Sequence, residues 1–132
     1  MTKEDTAKAV YKALHDLGYK AEILDEETVG SAASGLRFIV QSYDENIQFR
    51  CLLNSVDGEE IDLLKFANEF NFETRFSKIY MDDDKDLIIE LDCWINSDLD
   101  ERNTFSQAVD LWELSLSALK ERLRKYYEQI NN

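Results

Sequence analysis

The C-terminal quarter of the chain carries the tightest constraint. Phe105, Val109, Trp112, Leu116, Leu119, Leu123, Tyr126 and Ile130 recur at intervals of 4-3-4-3-4-3-4, an unbroken a/d register. That period predicts one helix from about Asn103 to Ile130, roughly 42 Å long at about 1.5 Å per residue. The rest of the chain reads as five strands, and such a sheet is only about 24 Å across, with eight-residue strands about 27 Å long. The helix nearly overruns its sheet even on the diagonal. Its last two turns, with Tyr126, Tyr127 and Ile130, are therefore expected to meet another chain or to fold back onto the first helix. The plainer alternative is ordinary core with a frayed end. Arg122, Arg124 and Lys125 suit a helix C-terminus and need no ligand.

Upstream, the pattern alternates between helical and strand periods. Ala7, Val10, Tyr11, Leu14 and Leu17 lie at helical spacing, with Thr2, Glu4 and Asp5 at the start and Gly18 as a stop. Tyr19 to Leu24 reads as a short strand. Asp25 to Gly35 reads as a mobile loop because small and turn residues dominate it. From Leu36 the period becomes two. Leu36, Phe38 and Val40 face one way, and Ile47, Phe49, Cys51 and Leu53 line one face of the next strand, an antiparallel hairpin. Asp57 and Glu60 have capping-box spacing before Ile61, Leu64, Ala67, Asn68 and Asn71, with Leu63, Phe66 and Phe70 beside them. This second helix is apolar over more than half its circumference, so it is expected to be covered on both sides. Arg75–Met81 and Leu87–Ile95 read as strands joined by the acidic turn Asp82–Asp86. Asp98 and Glu101 repeat the capping-box spacing before the long helix. The order is α-β-β-β-α-β-β-α: an α+β fold, with an antiparallel sheet and packed helices, in a single domain spanning residues 1–132.

Charge excludes several function classes. Fifteen Lys and Arg against 28 Asp and Glu give a net charge of −13, which repels nucleic-acid backbones and anionic membranes alike. The excess is concentrated: residues 82–101 hold nine acids and one base, a net of −8. A basic or apolar protein partner fits better, although acids on a hairpin also keep a sheet edge soluble and unsociable. No apolar run approaches the roughly 20 residues of a membrane helix, and MTKEDT is unlike a signal peptide, so a soluble, cytoplasmic protein is expected.

None of the reactive residues completes a catalytic or metal-binding signature. His15, the only histidine, has no ligand companion three or four residues away. Cys51 and Cys93 take inward strand positions, where free cysteine behaves as a small hydrophobe. Asp82, Asp84 and Asp86 match the first ligands of a calcium loop. Leu87 then stands in place of its turn glycine and Cys93 in place of its glutamate. Gly30 to Gly35 resembles phosphate-loop spacing, but Leu36 and Arg37 replace the required Lys and Ser/Thr. The numerous aromatics are interleaved with acids, which denies single-stranded nucleic acid its electrostatic funnel. No catalytic residue, cofactor or metal is expected.

The segment from Leu63 to Leu123, with the passage LLKFANEFNFETRFSKIYMDDDKDLIIELDCWI and the helix through Phe105, Trp112 and Leu119, resembles the YbjN family of bacterial sensory-transduction regulators. Leu36 to Asn54 agrees with that family's preceding hairpin. The resemblance implies a fold similar to class I type III secretion chaperones, which are small acidic dimers that hold client segments. It thus favours a binding module and a homodimer, with the second helix at the dimer contact; a secretion role does not carry over. The expectation is an adaptor or chaperone-like protein without catalysis. Leu63, Phe66 and Phe70 would serve self-association. Ile39, Leu52, Ile88 and Trp94 would receive a protein or peptide partner, unless a helix covers them. The alternative is a regulatory domain sensing a ligand or ion at Asp82–Asp86 or beneath the loop from Asp25 to Gly35.

Overall fold

The computed structural model describes residues 2–53, 59–95 and 104–130. Thr2 begins α1 (Lys3–Asp16) with a capping box: its hydroxyl accepts from the Asp5 amide while the Asp5 carboxylate accepts from the Thr2 amide. The helix ends at Leu17, and Gly18 turns the chain at φ +93. Four strands follow as successive hairpins: β1 (Glu22–Asp25), β2 (Thr28–Ala33), β3 (Leu36–Ser42) and β4 (Asn46–Leu53). Then come α2 (Glu60–Glu73), β5 (Lys78–Met81), β6 (Leu87–Trp94) and α3 (Thr104–Ile130). One antiparallel sheet holds them in the order β1-β2-β3-β4-β6-β5. Asp57, Asp98 and Glu101, expected to open two helices, lie outside the described residues.

The α+β class holds, and the sheet gains a strand within the segment expected to be a mobile loop. The Asp25 carboxylate accepts from the Glu27 amide at 2.8 Å and fixes a tight turn, after which Thr28–Ala33 pairs along the whole of β3. Ser34 and Gly35, both at positive φ, close the next turn. This strand reads as a loop because its residues are small, and the reason is tertiary. A Cβ on Gly30 would stand 3.1 Å from the Leu24 side chain, which already fills that space.

All three helices bury their apolar stripes in one core, against one face of the sheet. From α1 come Ala7, Val10 and Leu14; from α2, Leu63, Phe66, Ala67 and Phe70. The α3 register holds, with Phe105, Trp112, Leu116 and Leu119 fully buried. Trp112 packs edge-on to Phe38 at 5.8 Å, and Phe105 stacks on Phe49 at 6.0 Å. At 27 residues α3 is about 40 Å long, about the diagonal of the six-stranded sheet. Within the protomer its last turns lie on α2 and not on α1: Tyr126 lies 5.6 Å from Phe66, and Arg122 pairs with Glu73.

Candidate functional site: the uncovered face of the sheet

Strand alternation sends every second residue of β2, β3, β4, β5 and β6 to the face opposite the helices. Register then assembles rows that no single strand contains. Gly30, Ile39, Arg50, Glu90 and Lys78 form one row across five strands. Leu52, Ile88 and Tyr80 form the next, and Asn46 with Trp94 marks the far end. No described helix contributes its buried residues to this side.

One half of the face is a groove of about 890 Å³, lined by Leu24, Ala32, Ile39, Leu52 and Ile88, with Lys20, Arg37 and Arg50 among its polar neighbours. Leu52 is 50% exposed there. Arg37 is exposed, and no carboxylate pairs with it among the described residues. The carboxylates of Glu22 and Asp82 also line the groove.

The other half is a polar cluster around Glu90, whose side chain is 4% exposed. Arg50 donates to Glu90 Oε1 from Nε at 3.2 Å and from Nη2 at 2.9 Å, Gln48 Nε2 donates to Oε2 at 3.1 Å, and Lys78 Nζ lies 3.5 Å away. The Tyr80 hydroxyl also donates to it. Burial pushes the Glu90 carboxyl up, but hydrogen bonds from Tyr80 and Arg50 and the nearby cations outweigh this and hold it below its ordinary value. A carboxylate so saturated with donors is an anchor, not a general base. Burial pushes the Cys51 thiol up to about 11, far from an activated nucleophile. His15 is exposed on α1 against the Tyr11 ring at 4.6 Å. Asp82, Asp84 and Asp86 do place carboxylate oxygens within 4.8 Å of one another. However, Asp82 Oδ1 accepts from the Asp84 and Asp86 amides at 3.0 and 2.9 Å, which accounts for the turn without an ion.

The residues expected to bind partners fall into three groups. Ile39, Leu52, Ile88 and Trp94 do share the uncovered face; Trp94 is 74% exposed, while Ile88, between Leu52 and Tyr80, is 7% exposed. Leu63, Phe66 and Phe70, expected to meet a second copy, instead fill the protomer's own core. The reason is that α3 is long enough to lay Tyr126 over them. Tyr126 is buried with them, Tyr127 is half-buried and Ile130 is exposed. Among the described residues, Leu64 and Phe72 are exposed on α2, with Phe76 just beyond the helix. Ala32 was missed because β2 was unrecognised, and Leu24 and Arg37 because their place beside the groove depends on how β1 and β3 pair with that strand. The Glu90 cluster was missed because pairing of β4 with β6 is not a local signal.

Comparison with known proteins agrees with this fold. The model of the YbjN family, described as "Putative bacterial sensory transduction regulator", matches residues 6–125. The chain belongs to the YbjN family. Among solved structures, the crystal structure of YbjN from E. coli, described as "a putative transcription regulator", superposes on this YbjN-family chain with a TM-score of 0.65. It is 16% identical, over 95% of this chain and 91% of that one. At that identity the likeness speaks for the fold alone. No curated protein matches by sequence. Among the described residues, no helix is long and apolar enough to cross a membrane.

Proposed function

We propose that this YbjN-family protein is a non-catalytic regulatory module that holds an apolar segment of a partner protein on the uncovered face of its sheet. The supporting observation is the groove of about 890 Å³ beside Leu24, Ile39 and Leu52, an apolar floor with the exposed Arg37 among its lining residues. Cofactors, nucleic acid and membrane have no part in this reading, since the charge of −13 opposes the last two. Self-association belongs to the same proposal, through Leu64, Phe72 and Phe76. Phe72 is 88% exposed, and Leu64, Asn68 and Phe72 fall at four-residue intervals on the outer side of α2.

A photo-cross-linking residue placed at Leu52 should yield a discrete protein adduct that Ile39→Asp abolishes, while the same residue at exposed Leu114 on α3 should yield none. Identical adducts from both positions, or none from Leu52, would remove the groove from consideration. Light scattering should give a dimer's mass that falls to a monomer's in Phe72→Ser. A second reading, ion sensing at the turn, is favoured by the proximity of Asp82, Asp84 and Asp86. It requires a saturable rise in melting temperature with calcium or magnesium that Asp84→Asn removes.

A further inference from the structure

On the helical side of the molecule, we propose that the cleft between α2 and α3 binds a small organic anion with an apolar, ring-sized body. A cavity of about 370 Å³ lies between these helices, within the size range of small-molecule sites. Phe66 and Phe70 from α2 and Tyr126 from α3 form an aromatic wall: the two phenylalanine rings stack at 6.4 Å, and Tyr126 tilts against Phe66 at 5.6 Å. Lys65 and Lys125 line the cavity from opposite helices, and neither has an ion-pair partner among the described residues. Arg122 is there too, engaged by Glu73. Against Asp62 and Glu69 these three bases leave a lining charge of 3 − 2 = +1, in a chain whose net charge is −13.

The telling group is the Tyr126 hydroxyl. The residue is 9% exposed, and its oxygen is buried without a hydrogen-bond partner among the described residues. An orphaned buried hydroxyl destabilises the folded state, and a phenylalanine would pack the same ring without that cost. The oxygen is therefore unexplained by packing alone. Burial and the neighbouring charge of Asp62 push this phenol up, which keeps it a neutral donor. A carboxylate on an apolar body would give that donor an acceptor, answer the two unpaired ammonium groups and rest on the phenylalanine rings.

Benzoate, with benzyl alcohol as its neutral counterpart, tests this by amide NMR titration and thermal unfolding of the full chain. Benzoate should shift amides around residues 66 and 126 saturably, and benzyl alcohol should bind about tenfold more weakly or worse. Tyr126→Phe should raise the melting temperature of the unliganded protein yet weaken benzoate about tenfold. Lys125→Ala should weaken benzoate and leave unliganded stability unchanged. A lower unliganded melting temperature in Tyr126→Phe would show that the hydroxyl serves the fold. That result overturns the proposal, as would unmoved α2 and α3 amides or unchanged benzoate affinity in Tyr126→Phe.

Discussion

Asn71 is one of two asparagines on a helix otherwise dense with apolar residues, and it closes an edge of the sheet. Strand β5 is outermost, with β6 on one side only. On its free side the Ile79 amide donates to Asn71 Oδ1 and the Ile79 carbonyl accepts from Asn71 Nδ2, both at 2.8 Å. The side-chain amide thus stands in for the peptide group of a neighbouring strand. Asn71→Ala removes both partners. An orphaned buried group costs about 1–3 kcal/mol, so two set a ceiling near ~6 kcal/mol. Asn71 is itself exposed, so water refills part of the gap, and the expected loss is nearer the net worth of two hydrogen bonds, about 2 kcal/mol. For a domain of this size that lowers the melting temperature by about 8 °C. Asn71→Asp should do no better, because a carboxylate keeps the Ile79 amide but sets an oxygen against the Ile79 carbonyl. Urea unfolding followed by tryptophan fluorescence gives the energy, and hydrogen exchange at the Ile79 amide gives the cause. A loss below about 0.5 kcal/mol, or unchanged protection at Ile79, would refute the account. The unsealed edge should also raise self-association with concentration, read by sedimentation.

Glu90→Gln should cost about 2 kcal/mol at neutral pH, less than a wholly buried pair because Arg50 and Lys78 remain partly solvated. Because Glu90 is held below its ordinary value in the folded state, its contribution is present above the ordinary carboxylate range and is lost as pH falls through the lowered value. Melting temperatures on the acid side should therefore fall more steeply for the wild type than for Glu90→Gln; parallel curves would show that Glu90 contributes no such dependence. Phe76 holds φ +77 while exposed to solvent, a conformation that favours glycine. Phe76→Gly should leave stability unchanged or raise it by up to about 1 kcal/mol, and Phe76→Val should lower it by about 1 kcal/mol. Destabilisation by the glycine in urea unfolding would mean that the ring packs where it looks idle.

Much of this molecule was legible in the chain because much of it is periodic. The a/d register of α3, the alternation of β3, β4 and β6, and the start of α1 near Thr2 with its stop at Gly18 are local patterns with one physical solution each, and all of them formed. Strand β2 was illegible for a definite reason. Its glycine, Gly30, is required because Leu24 lies over it, and a residue cannot announce a neighbour that arrives from another strand.

The candidate sites divide the same way. Sequence alone determined that Ile88 and Trp94 point the same way, and that Ile39 and Leu52 lie opposite the apolar sides of their own strands, since side-chain direction follows from strand parity. Only the tertiary structure decided that no described helix covers that face, that β4 lies beside β6 so that Arg50 meets Glu90, and that Phe66 and Phe70 are spent on Tyr126 instead of on a second copy. Periodicity fixes which residues point the same way within one element. What they point at is set by pairing and packing between elements distant in sequence, which here depends on a helix of about 40 Å reaching far enough to set Tyr126 against Phe66 of α2.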